Sequence, residues 1–151
     1  MEAKAGKEQN RLKYRRTLTS KGGLTTKIVA LVDALRNLVR FTLLPRQRHD
    51  LLGVKPLIAD LEFDAFLGDK AFDANWLHDE LGKRSVSAVI PSKANRKRQV
   101  PHDNEVYKWR HLVENYFPKI KEFKAIATLY DKTDENYVAN WNLTAAIIAA
   151  R

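Results

Sequence analysis

Cysteine is absent from the 151 residues, which excludes disulfide staples and thiolate zinc sites. The four histidines, His49, His78, His102 and His111, show no paired metal-ligand spacing. Any metal must therefore be held by oxygen. Long apolar runs are also missing: a stretch such as Thr144–Ala150 falls well short of the roughly 18 residues that span a bilayer. The opening Met-Glu-Ala-Lys-Ala-Gly-Lys has charges but no apolar segment, so no secretory signal is expected. These absences point to a soluble, cytoplasmic chain with no membrane partner.

Acidic charge is scarce as well, with 18 Asp and Glu against 27 Lys and Arg, a formal charge of +9. A cationic surface gains affinity for a phosphate backbone by releasing its counterions, so the expected partner is a polyanion. What is present in quantity is apolar: a hydrophobic fraction of 44% is that of a globular chain, and the length suits one core. No internal repeat is seen.

The most informative stretch is Tyr107–Lys121. Wound as a helix, it gathers Tyr107, Arg110, Glu114 and Lys121 onto a stripe about 60° wide, at about 100° per residue. Trp109, Leu112, Val113, Tyr116 and Phe117 spread over the other side, as on a helix with one face on a core and one on a site. The bland alternative is a solvated face with an Arg110–Glu114 pair worth about 0.3–0.5 kcal/mol.

The pattern Y-x2-R-x3-E-x6-K resembles the signature around the last catalytic carboxylate of bacterial insertion-sequence transposases of the DDE type, in the insertion-sequence four/five superfamily. The resemblance continues through Gly22-Gly-Leu-Thr-Thr-Lys-Ile28, Gln47-Arg-His-Asp50, Gly68-Asp-Lys-Ala-Phe-Asp73, Ile90-Pro-Ser-Lys-Ala-Asn-Arg96 and Tyr130-Asp-Lys-Thr-Asp134. Several motifs in order are more specific than any one. The resemblance implies an α/β fold, a ribonuclease-H-like mixed sheet flanked by helices. It also implies double-stranded DNA as partner, both the inverted-repeat ends of the element and its target. A homo-oligomer when active, a bacterial nucleoid-associated location and Mg²⁺ or Mn²⁺ as cofactor follow in the same way.

Cutting and joining DNA is an in-line displacement at phosphorus, in which two divalent ions about 3.5–4 Å apart stabilise the attacking and leaving oxygens. Hard carboxylates suit such ions. By the resemblance Asp69 is the second acidic ligand and Glu114 the third, both catalytic and both metal-binding. Tyr107, Arg110 and Lys121 position the DNA, with Arg able to grip a phosphate by two parallel bonds. The family's first Asp belongs to a strand upstream of Gly22-Gly-Leu-Thr-Thr-Lys27. No such strand is legible here, so the fold is expected to lack its first strand, leaving backbone groups of Thr26–Asp33 open. Asp33 reads as a turn residue and not a substitute ligand.

Along the chain, residues 1–20 read as a basic arm and 21–151 as a partial catalytic domain. Thr26–Asp33 and Leu38–Leu44 read as a strand pair, with Arg36 and Arg46 standing where the family usually carries glycine. Asp50 is placed as the cap of a helix over Leu51–Ala59, interrupted early by Gly53 and Pro56. Phe63–Asp69 reads as a buried strand, and Asp73 as the cap of a helix that ends at Gly82. Val86–Ile90 reads as a second strand, parallel to the first. Arg96, Lys97 and Arg98 lie in a basic loop beyond it, where sites of open α/β sheets occur, and are candidate phosphate contacts. Pro118 should kink the signature helix by withdrawing the donor that would meet the Glu114 carbonyl. A last helix is expected from about Thr133 to Ala150. The leading expectation is a transposase catalytic domain, incomplete in its first carboxylate. The alternative is a non-catalytic basic DNA-binding remnant, and a more distant one is a structural RNA-binding protein.

Overall fold

A computed structural model describes residues 11–14, 26–45, 47–121 and 134–150. Five strands, β1 (Arg11–Tyr14), β2 (Thr26–Val32), β3 (Leu38–Pro45), β4 (Ala65–Leu67) and β5 (Ser87–Val89), form one sheet in the order β3-β2-β1-β4-β5. β1 runs antiparallel to β2 and parallel to β4, and β4 runs parallel to β5. Because β2 is antiparallel to both β1 and β3, its start lies at the level of their ends. The start of β2 and the ends of β1, β3, β4 and β5 therefore share one rim.

The expectation that the first strand is missing is corrected by this arrangement. β1 occupies the middle of the sheet, within the stretch read as a basic arm, and pairs Lys13 with Val32 on one side and Leu67 on the other. The flank of β2 expected to lie open is thus met by a ladder at Leu31 and Val32. Arg11-Leu-Lys-Tyr14 has no apolar run to mark it as a strand; its place comes from backbone hydrogen bonding to neighbours on both sides. What this strand lacks is a carboxylate.

Two faces of the sheet are covered because β2 and β4 carry apolar side chains at both parities. On one face Val29, Leu31 and Phe66 pack with Val54, Leu57 and Ile58, and with Leu77 and Leu81. Those partners belong to α1 (Val54–Ile58) and α2 (Asn75–Lys83). On the other face Ile28, Ala30 and Val32 meet Tyr116 and Trp141, and Ala65, Leu67 and Val89 meet Val106, Tyr107 and Trp109. Phe41 of β3 stacks on Trp141 with ring centroids 5.4 Å apart. These contacts seat the signature segment and α6 (Asp134–Ala149) over the half of the sheet that holds β4 and β5 and the half that holds β2 and β3.

The β2–β3 hairpin turns as expected, with Asp33 as its clasp. Asp33 Oδ1 accepts from the Asn37 N–H at 2.8 Å and Oδ2 from Asn37 Nδ2 at 3.2 Å. Arg36 stands at φ 69°, a left-handed conformation that suits glycine. Arg46 lies outside the described residues.

Three boundaries differ from expectation. The chain after His49 first forms a 3₁₀ turn over Asp50–Gly53 without a side-chain cap, and Asp50 instead pairs with Lys27 at 2.5 Å. α2 runs past Gly82 to Lys83, and Ser85 takes the left-handed φ of 57°. The signature segment is not one helix but α3 (Asn104–Tyr107), a 3₁₀ turn (Lys108–Arg110), α4 (His111–Glu114) and α5 (Tyr116–Lys121). The interruption at Asn115 lies one residue beyond Glu114, the carbonyl that Pro118 cannot serve and its ring would crowd. Among the described residues, no helix is long and apolar enough to cross a membrane.

Candidate nucleic-acid interface

Parallel strands deliver their loops to the same edge, so the residues after β4 and β5 meet there. Asp69, Lys70 and Ala71 follow β4, and Pro91, Lys93 and Ala94 follow β5; with Tyr107 and Arg110 they line a cleft of about 640 Å³. Asp69 has extended backbone, with ψ 174°, and caps the next turn by accepting from the Ala71 N–H at 2.8 Å. Gly68, just before it, leaves room for Phe66 and Phe72: a Cβ there would stand 3.2–3.3 Å from their atoms.

Arg110 reaches this cleft from the signature segment and is held at three points. Its Nη1 donates to the Tyr107 hydroxyl at 2.9 Å, its Nη2 pairs with Glu114 Oε1 at 3.0 Å, and its guanidinium carbon lies 5.3 Å from the Tyr107 ring centroid. The i,i+3 and i,i+4 steps of the stripe are thus realised as contacts. Tyr107 is itself fixed, by an edge-on His102 ring at 5.5 Å and by packing on the β4 and β5 side chains. The structure brings Asp69, Tyr107 and Arg110 to one cleft, and Glu114 adjoins it through Arg110. Lys121 ends α5, and its side chain lies outside the described residues.

The residue that sequence reasoning undervalued is Asp73. The cap position of α2 is Ala74, which offers no side-chain bond. Asp73 is instead buried, its side chain 1% exposed, and gathers three donors: the Lys93 N–H at 2.8 Å, Arg96 Nη1 at 2.7 Å and His78 Nε2 at 2.9 Å. Burial pushes its pKa up, but the Lys93 N–H, His78 and Arg96 together bring it below the ordinary value of 3.8. Two of the motif stretches, Gly68–Asp73 and Ile90–Arg96, therefore meet on one carboxylate. The only sequence signal was that both are motifs.

Arg96 is correspondingly occupied. Besides Asp73 it donates to Asn75 Oδ1 at 2.6 Å and, through Nε, to the Arg98 carbonyl at 3.0 Å. One bond on each of its three nitrogens anchors the loop, and a guanidinium has five N–H donors, so two are left beyond these. Lys97 and Arg98 are exposed and keep the role expected of them as candidates.

The motif resemblance implies a divalent metal, which would need a cluster of oxygen ligands. Among the described residues no group of three or more His, Asp or Glu side chains stands together as an ion would require. Asp69 shares its cleft with the cations Lys70, Lys93 and Arg110, Glu114 is neutralised by Arg110, and β1 contributes no acid. This set does not fit a two-ion centre, which needs several oxygen ligands around each ion.

Comparison with known proteins agrees with this architecture. The family model of the transposase DDE domain matches residues 3–149. A protein of Brucella ovis described as a putative transposase for insertion sequence element IS6501 is 30% identical over 131 residues, 85% of this chain and 100% of that protein. The crystal structure of the catalytic core domain of BIV integrase superposes with a TM-score of 0.58, over 91% of this chain and 81% of that one, at 14% identity. That likeness is one of fold, a ribonuclease-H-like mixed sheet between helices. With the motifs, the sheet order and the family match in agreement, the chain belongs to the transposase DDE domain family, whose general activity is DNA transposition.

Proposed function

We propose that this chain binds the DNA ends of an insertion element through the rim of its sheet and does not by itself cut them. The observation that carries this reading is the cleft in which Asp69 is surrounded by Lys70, Lys93, Tyr107 and Arg110. Three cations against one carboxylate favour a phosphodiester, and the Arg110 fork, already oriented by Tyr107 and Glu114, loses little freedom on gripping it. Asp69 and Glu114 are the carboxylates proposed to meet Mg²⁺ or Mn²⁺ in the family's reaction. Two are too few for two ions and a phosphate, and β1, the strand to which the resemblance assigns the remaining Asp, has none. Lys97, Arg98 and Lys121 are proposed to add backbone contacts without base readout. Since transposition joins two ends, the working assembly is inferred to hold at least two copies.

The test separates binding from cutting. Duplex DNA carrying the ends of an insertion element is titrated with the protein across salt concentrations, then incubated with Mg²⁺ or Mn²⁺. Binding that weakens linearly in log–log form, with Arg110→Ala lowering the slope by about 0.9, and an absence of nicking are expected. Nicking that Glu114→Gln abolishes would overturn the non-cutting half of the proposal. Salt-independent binding would overturn the other half.

A further inference from the structure

A second cleft opens on the same rim, and apart from Lys93 its residues have no part in the proposed function. It measures about 530 Å³ and is lined by Lys27 at the start of β2, Arg48, His49 and Asp50 after β3, and Ala71 and Lys93. Ala71 and Lys93 also line the Asp69 cleft, so the two share a wall. Strand order explains why: the start of β2 and the ends of β3, β4 and β5 lie on one edge, so the trough crosses the sheet from β3 to β5.

The charges along this trough are unequal. Lys27, Arg48, Lys70, Lys93 and Arg110 contribute positive charge, against Asp50 and Asp69, with Glu114 behind Arg110. Lys27 is 7% exposed and paired to Asp50, a contact that fixes the floor of the second cleft. Arg48 is exposed, and its side chain makes no hydrogen bond or ion pair among the described residues. Among the described residues Lys93 is held by its backbone, through Asp73, Arg96 and Gln99, which leaves its ammonium to the trough. A cavity of this size suits a phosphate with its sugar, and cations spaced along a sheet edge suit a polymer of phosphates better than a single small anion.

We infer that the Lys27–Arg48–Lys93 cleft is a second phosphodiester-binding subsite, taking the same DNA molecule that occupies the Asp69 cleft. Five strands about 4.8 Å apart make a rim of roughly 19 Å, or about five to six phosphates of one strand at 3.4 Å of axis each. Arg48 and Lys93 grip successive parts of that backbone, and Lys93 bridges the subsites. This inference rests on the reading of the Asp69 cleft as a DNA site, and the test distinguishes the two.

Salt-dependent binding of a short duplex is measured for Arg48→Ala, Lys93→Ala, Arg110→Ala and Lys83→Ala. Lys83 ends α2, at the opposite edge of the sheet, and serves as the reference. Arg48→Ala and Lys93→Ala should each lower the slope of log K against log salt by about 0.9, with unfolding temperatures unchanged, and Lys83→Ala should not. If they match Lys83→Ala while Arg110→Ala lowers the slope, the second subsite is wrong and the Asp69 reading stands. If Arg110→Ala also has no effect, both fall. Because the chain has no cysteine, Arg48→Cys, Lys70→Cys and Lys83→Cys each give a unique thiol for a photocrosslinker. Crosslinking to DNA from positions 48 and 70 but not 83 supports the trough; crosslinking from 70 alone overturns it.

Discussion

Arg36 and Asp73 show how much can depend on one side chain. Arg36 sits at φ 69°, where an L residue with a Cβ is less stable than glycine by about 1–2 kcal/mol. Its backbone N–H donates to the Asp33 carbonyl at 3.1 Å, and glycine would keep that bond. Arg36→Gly should therefore stabilise the protein by about 1 kcal/mol, allowing for the extra freedom of glycine in the unfolded chain, read as a higher urea midpoint at unchanged slope. Asp73 has a folded pKa below its ordinary 3.8, so it binds its proton more weakly when folded. Its stabilisation is complete above the ordinary value and is lost as pH falls through the folded one. Asp73→Asn should cost about 3 kcal/mol near neutral pH, by leaving Arg96 and the Lys93 loop without their anion. It should also remove the acid limb of stability between pH 4 and the folded pKa. Urea unfolding of both proteins across that range checks the sign.

Among the elements, those visible in the sequence were the ones whose side chains alone determine them. β2 and β4 are apolar runs buried on the sheet, β5 is marked by buried Val86, Val89 and Ile90 around exposed Ser87, and α2 has Leu77 and Leu81 on its inner side. β1 was not visible, because Arg11-Leu-Lys-Tyr14 earns its position from the ladders of β2 and β4 and not from apolar content. Pro118 announced a break in the signature segment, and the break came at Asn115. The retreat to a 3₁₀ turn at Lys108–Arg110 had no residue to announce it. Of the site, the pairing of Tyr107, Arg110 and Glu114 was legible from helical spacing. The burial of Asp73 was not, since its three partners come from Lys93, Arg96 and His78, and only the fold brings them together. The end of α2 was misread for a local reason: Gly82 looks like a stop signal, yet it lies inside the helix with open space where a Cβ would go. Gly82→Ala should then raise stability by about 0.5–1 kcal/mol, seen as a rise of a few degrees in the unfolding temperature.

At the scale of the molecule, the sheet joins two locally built parts. β2 and β3 form a hairpin with contacts close in sequence, and β4, α2 and β5 form a compact crossover unit. β1 lies between them, with Lys13 facing Val32 on one side and Leu67 on the other. The site inherits this construction, because Arg48 and Lys27 belong to the hairpin part and Asp69 and Lys93 to the crossover part. The order of synthesis then matters. β1 is made before the other four strands, yet one of its two neighbours is β4, which follows about 50 residues later, a delay of roughly 3–10 s at 5–20 residues per second. During that interval the side of β1 that will meet β4 is an unpaired edge, and such an edge is a template for pairing with a second nascent chain.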